Sequence, residues 1–236
     1  KPMFEFIVAV QDISMKIIEW TMKLAPIAVF ALICNITMRV GIGAIVGMAA
    51  YMGAVIIGLL LLLLLYLFIV WALGKMSPLE FLKNIGSVQL LAFSTSSSAA
   101  TIPLAMATAE ERLKVDGPIA RFIIPLGATI NMDGTALYQV CATVFLSQVY
   151  GVAMGPATLA AVIITTVGAS IGTPSTPGVG IVILATILQG IGIPPSGIAL
   201  IIGVDRILDM TRTTVNVSGD LTASVVMNRL LKNIEK

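Results

Sequence analysis

Asp205, Asp209, Arg212, Asn216 and Asp220 follow one another at steps of four, three, four and four residues. An α-helix stacks side chains spaced in this way on one face. A guanidinium among carboxylates can be an internal ion-pair network, or it can receive a ligand that carries both signs of charge. The surroundings sharpen that choice. No charged residue occurs between Gly134 and Val204, a run about three times the roughly 20 residues that cross a bilayer. An ionised side chain at the bilayer centre costs roughly 2.5 to 3.5 kcal/mol on insertion scales, so four of them on one helix need roughly 10 kcal/mol from pairing or from a ligand. The alternative, a solvated face on a soluble helix, has composition against it.

The elements that must position this stripe belong to a very apolar chain. Of 236 residues, 58% are hydrophobic and 11% charged, with a mean hydropathy of +1.03; soluble domains carry about 25% charged residues. The expectation is an all-α, polytopic membrane protein. A net charge of +2 with dispersed basic residues gives no footing for nucleic acid. Histidine is absent, which excludes Ser-His and Cys-His hydrolysis and histidine-ligated metals. Cys34 and Cys141 sit in apolar segments without metal spacing and read as free thiols. No signal peptide is evident at the start, and further sequence upstream of Lys1 is expected.

Along the chain, residues 12–37 form an amphipathic segment, with Lys16, Glu19 and Lys23 early and an apolar stretch after Pro26. Residues 40–74 carry no charge, include the leucine run 59–65, and close with Tyr66 and Trp71 near Lys75, in the manner of an interfacial anchor. Residues 79–108 are broken by Ser94-Thr95-Ser96-Ser97-Ser98, and residues 158–188 by Gly172-Thr173-Pro174-Ser175-Thr176-Pro177-Gly178. Segment 118–148 holds Asn131-Met132-Asp133-Gly134-Thr135, and 198–228 holds the stripe. Lys75 and Lys83 precede the first broken segment and Arg112, Lys114 and Arg121 follow it, whereas 149–157 and 189–197 are uncharged. Basic residues collect on the cytoplasmic side. The pattern therefore predicts two re-entrant hairpins from opposite faces, with Arg229, Lys232 and Lys236 returning the tail to the cytoplasm and Arg39 alone on the wrong side. Two kinked spanning helices are the alternative. Irregular backbone at membrane depth needs protein or a wet cavity around it, so the two Ser/Thr/Gly/Pro tips are predicted to meet at a polar site.

Four stretches, TSSSAATIP at 95–103, GATINMDGTALYQ at 127–139, ASIGTPSTPGVG at 169–180 and DRILDMTRTTVNVSGD at 205–220, resemble the glutamate transporter family, the dicarboxylate/amino acid:cation symporters. Their order and spacing cover nearly the whole chain. The resemblance implies inverted re-entrant hairpins. It also implies scaffold-type transmembrane helices in 1–78 and a transport domain in 79–236, made of hairpin 79–108, broken helix 118–148, hairpin 158–188 and amphipathic helix 198–228. Further implications are a homotrimer in the full-length protein, a multi-pass place in the plasma membrane with a cytoplasmic C-terminus, and sodium-coupled uptake of aspartate or glutamate by elevator-type alternating access. The chain is then no enzyme, and its partners are an acidic amino acid, sodium ions and the lipid bilayer.

An acidic amino acid brings two carboxylates and one ammonium. Arg212 is the expected fork for the side-chain carboxylate, oriented by Asp205, with Thr135 assisting. Asp209 with Thr213 would take the ammonium, and Asn216 with Ser98, beside Ser97, the main-chain carboxylate. By resemblance, backbone around Thr176 and Gly180 closes over the ligand. Sodium takes hard oxygens. The family implies one site from carbonyls of Gly127, Asn131 and Asn216 with the Asp220 carboxylate, and a second from carbonyls of Thr129, Ser170, Ile171 and Thr173 near the Met132 sulfur. A third would use the Asp133 carboxylate and the Asn131 side chain, with ligands outside this sequence. For Met132 plain core packing is the alternative.

The chain also departs from relatives. Ser96 and Met210 stand where an arginine occurs in archaeal and animal members respectively. Gln139 stands where animal and proton-coupled members have glutamate, which points to sodium coupling without potassium exchange. The tip TPSTPG carries two stiffening prolines. Other readings are a C4-dicarboxylate or proton-coupled symporter, an intramembrane aspartyl protease using Asp133 with Asp205 or Asp220, and an inactive membrane fragment. Asp209, as the ammonium partner, favours an amino acid.

Overall fold

The computed structural model describes residues 2–40 and 42–234, and the side chains of only part of the stretch before residue 46. The expectations for Glu19, Arg39 and Lys236 fall outside the described residues. All regular structure among the described residues is helical. Helix α1 spans Pro2–Val40, and α2 spans Ile42–Ile69 with a π-helical continuation, Val70–Gly74, that ends on Lys75 in the left-handed region (φ 56°). Then come α3 (Pro78–Thr95), α4 (Ser98–Glu111), α5 (Gly117–Ile130), α6 (Asp133–Val149), α7 (Pro156–Ile171), α8 (Val179–Gly190), a 3-10 turn (Pro195–Leu200) and α9 (Ile202–Ile234).

Each break has a local cause. Between α3 and α4, Ser96 turns left-handed (φ 53°), and Ser97 becomes extended so that its hydroxyl accepts the Ala100 N–H at 3.3 Å. Capping in this way satisfies one of the free donors at a helix start. Between α5 and α6, Asn131 and Met132 leave helical geometry for just two residues. Between α7 and α8, Pro174 and Pro177 cannot continue a helix, and Gly178 (φ 80°) adopts a conformation that glycine takes at little cost. Prolines at the first turns of α3, α5 and α7 lose no intrahelical bond there.

Helix α9 is the axis of the molecule and packs against α2, α3, α4, α5 and α6. One apolar cluster joins α2, α6, α8 and α9 through Val55, Leu59, Tyr138, Leu146, Leu184 and Leu208. A second joins α3, α4, α5 and α9 through Phe81, Ile85, Ala105, Ile124, Val217 and Leu221. Between them lies the stripe, with Asp205, Asp209, Arg212, Asn216 and Asp220 all buried. That burial disposes of the solvated-face reading. Outside, Leu60, Leu61, Leu64, Phe68 and Trp71 of α2 are exposed. Charge inside and hydrocarbon outside invert the arrangement of a protein surrounded by water. Among the described residues one helix, Val46–Gly74, is long and apolar enough to cross a membrane; the broken pairs are made of shorter pieces. Tyr66 corrects an expectation. Only Trp71 turns outward as an anchor would, while Tyr66 is buried.

Candidate functional site

Arg212 is 3% exposed. Its Nε donates to Asp209 Oδ1 at 3.1 Å, its Nη2 stands 2.9 Å from the same oxygen, and its guanidinium carbon stands 4.4 Å from the centre of the Tyr138 ring. Asp205, expected to orient Arg212, reaches Nη1 only at 3.8 Å, without a hydrogen bond. The closer orienting partner is Asp209, because three residues are less than one helical turn and seven are nearly two. The other Asp209 oxygen accepts the Gly178 N–H at 3.1 Å, tying the α7–α8 tip to α9. Gly180 allows the close fit: a Cβ there would stand 2.7 Å from Arg212 Nη2.

Above this pair is a cavity of about 20 Å3, room for about one water molecule. Helix α9 contributes Asp209, Arg212, Thr213 and Asn216 to its wall, and the α5–α6 break contributes Met132 and Thr135. The first tip adds Ser96 and Ser98, and the second adds Thr173 to Thr176 and Gly180. Thus every residue expected on the substrate side lines one cavity except Ser97. Ser97 lies behind the wall and binds the tips together, its hydroxyl donating to the Ser175 carbonyl at 2.7 Å. With Ser98 in the wall, the positive end of α4 faces the cavity, a favourable place for a carboxylate.

The cation-side residues gather beside it. Asn131 Nδ2 donates to Asp220 Oδ1 at 3.0 Å and to the Asn216 carbonyl at 3.2 Å. Gly127 lies against the same carboxylate, so close that a Cβ would come 2.8 Å from Asp220 Cγ. Gly127, Asn131, Asn216 and Asp220 are therefore brought together. Helices α5 and α7 end side by side, and the Ser175 hydroxyl donates to the Ala128 carbonyl. Among the described residues the carbonyls of Thr129, Ile171 and Thr173 accept no hydrogen bond, whereas the Ser170 carbonyl accepts the Thr173 N–H at 3.1 Å. Free carbonyls at two adjoining helix C-termini concentrate negative partial charge. The side chains of Thr129 and Ile171 are exposed, so only their backbone is available. Met132 Sδ accepts from Asn216 Nδ2 at 3.4 Å and from the Thr135 hydroxyl at 3.9 Å. It is more than filler.

The third expected set meets around Tyr66, whose hydroxyl crowds Gly219 together with Asn131 Nδ2. Asp133 accepts the Tyr66 hydroxyl at 2.7 Å, while Asn131 turns to Asp220. The two-residue break sends Asn131 toward α9 and leaves Asp133 in the first turn of α6, facing α2. Sequence reading missed Tyr66, Ser96, Ser175 and Tyr138 as parts of the site. Ser96 and Ser175 carried a signal, since both lie in the quoted tips; a tyrosine closing a leucine run gave none.

Among the described residues, fold and site together define an all-helical arrangement with an apolar exterior and a small charged cavity between two helix breaks, the organisation of a membrane protein that handles a polar solute. The chain belongs to the Sodium:dicarboxylate symporter family, whose model matches residues 1–230. This is a family of transporters, not of enzymes. The chain is 38% identical over 248 residues to the putative sodium-dependent excitatory amino acid transporter glt-4 of Caenorhabditis elegans, covering 99% of this chain and 47% of that protein. It is 38% identical over 234 residues to the proton/sodium-glutamate symport protein of Bacillus subtilis (strain 168), covering 97% and 53%. With human excitatory amino acid transporter 2 the identity is 35% over 236 residues, covering 99% and 41%. The chain thus spans about half the length of the curated relatives it matches.

Proposed function

We propose that the protein is a secondary active transporter that couples sodium influx to uptake of an acidic amino acid, aspartate or glutamate. One observation carries this reading: Asn216 and Met132, which belong to the substrate side and the cation side respectively, are hydrogen-bonded to each other at 3.4 Å. A cation that fixes the carbonyls around Met132 also fixes Asn216 and Thr135 in the wall of the cavity. Linkage then makes each ligand tighten the other by the same factor.

In this mechanism Arg212 turns its fork to the side-chain carboxylate, assisted by Thr135. Asp209 takes the ammonium with Thr213, and Asn216 with Ser98 takes the main-chain carboxylate at the N-terminus of α4. The cavity holds about 20 Å3, so the 172–178 tip must withdraw to admit an amino acid. Withdrawal breaks the Gly178–Asp209 and Ser97–Ser175 bonds. The ammonium and the main-chain carboxylate replace them, and Thr176 and Gly180 then close over the ligand. Sodium occupies the oxygens of Gly127, Asn131, Asn216 and Asp220 and those of Thr129, Ser170, Ile171 and Thr173 beside Met132; Asp133 with Asn131 serves a third ion only once Tyr66 releases the carboxylate.

Contacts of α3 with α4 and of α7 with α8 favour re-entrant hairpins, since a kinked spanning helix keeps its halves apart. On this reading residues 79–236 move as a transport domain against scaffold-type helices in 1–78, within a homotrimer of the plasma membrane whose C-terminus is cytoplasmic. Gln139 is fully buried, and its Nε2 donates to the Gly180 carbonyl at 3.3 Å. A neutral amide at that point favours sodium without proton or potassium. The test is uptake into proteoliposomes. An inward sodium gradient is expected to accumulate labelled L-aspartate, and an equal potassium gradient is not. Equal accumulation in both salts would end sodium coupling; sodium-dependent binding without accumulation would end transport.

A further inference from the structure

Five buried side-chain atoms near Arg212 have no hydrogen-bond partner among the described residues: the Tyr51 and Tyr138 hydroxyls, Gln139 Oε1, Asp205 Oδ1 and Arg212 Nη1. They come from α2, α6 and α9, and Tyr51, Tyr138, Gln139 and Asp205 are absent from the wall of the cavity. Buried polar atoms without partners are rare in folded proteins, and five around one guanidinium need a common reason. Tyr51 is 4% exposed, shares a buried cluster with Tyr138, and is within electrostatic reach of Asp205 and Arg212. Its ring stacks on Phe145 with centroids 5.1 Å apart, and both rings line a groove of about 440 Å3 between α2 and α6 that shares no residue with the substrate cavity. Arg212 Nη1 stands 3.8 Å from Asp205 Oδ1. If the fork swings further toward a ligand, Asp205 loses the stronger of its two cationic neighbours, keeps the half-buried Arg206, and needs other donors. Two tyrosine O–H groups lie toward it, Tyr138 the nearer and Tyr51 next to Tyr138, and each has a proton to donate.

We propose that Tyr51, together with Tyr138, donates to Asp205 when Arg212 turns to its ligand, making Tyr51 a positioning residue that sets the preference for acidic over neutral amino acids. The inference rests on the acidic-substrate reading above and gives Tyr51, outside the cavity, a role in it. Without the tyrosine hydroxyl, turning Arg212 away leaves a buried carboxylate unsolvated, and that penalty falls only on ligands that use the guanidinium.

The experiment compares L-aspartate and L-serine binding to purified wild-type protein, Tyr51→Phe and Phe145→Leu in saturating sodium, with thermal melts on each. Tyr51→Phe keeps the stacked ring and removes only the hydroxyl. It is expected to weaken L-aspartate roughly tenfold, the factor that one net hydrogen bond carries, and to leave L-serine within about twofold. Phe145→Leu loosens the stack, keeps the hydroxyl, and is expected to leave the aspartate-to-serine ratio unchanged. An unchanged ratio in Tyr51→Phe, or equal loss for both ligands, would overturn the inference while leaving the transporter reading intact. Wild-type protein that binds no aspartate would overturn that reading and the inference with it.

Discussion

Arg212→Cys is expected to raise the dissociation constant for L-aspartate by a hundredfold or more in saturating sodium, and to leave a neutral amino acid such as L-serine bound at least as well. The guanidinium is 3% exposed and shares Asp209 Oδ1 between two of its nitrogens. Removing one partner of a buried charge pair costs roughly 3 to 5 kcal/mol, which is roughly two to three and a half orders of magnitude in affinity. Cysteine offers no fork and no positive charge, so a distal carboxylate would enter beside Asp205 and Asp209 uncompensated. A neutral side chain meets no such penalty. Equilibrium binding of the two labelled amino acids to the variant checks this, with a melt to register the stability lost by the two carboxylates. Unchanged aspartate affinity would remove Arg212 from the site.

Asp220→Asn is expected to raise the sodium concentration needed for half-maximal L-aspartate binding by tenfold or more, with little change in aspartate affinity once sodium is in large excess. Asp220 is 2% exposed and supplies the one carboxylate in a set otherwise made of carbonyls and amides. A dehydrated monovalent cation needs that charge, because neutral oxygens alone replace its water without balancing it. Asparagine is nearly isosteric, so Gly127, which could not carry a Cβ beside Asp220, remains in place. The measurement is a sodium titration of aspartate binding. The same half-saturation in variant and wild type would place the coupling ion elsewhere.

Much of the site was legible because helical spacing is rigid. Steps of three and four put Asp205 to Asp220 on one face whatever packs around them, and the serine-rich and proline-rich breaks cannot be continuous helix. What stayed hidden depends on which helix lies opposite. Nothing in the sequence says that Tyr66, at the end of a leucine run, turns inward to Asp133 rather than outward like Trp71. Spacing likewise says nothing of the tip residue Gly178, which pins the far oxygen of Asp209 and is 31 residues away in sequence. The direct partners of Asn131 and Asp133, Asp220 and Tyr66, were hidden for a similar reason, because a two-residue break hands neighbours to different helices. Boundaries moved by a few residues wherever caps and prolines, rather than hydrophobic runs, ended a helix.

The most direct measurement is calorimetric titration of the purified protein with L-aspartate across a series of sodium concentrations, with potassium replacing sodium at constant ionic strength. If the buried Arg212–Asp209 pair and the carbonyl-rich helix ends are two linked halves of one site, affinity should rise at least in proportion to sodium and vanish into the background in potassium alone. The same aspartate affinity in both salts would contradict that linkage.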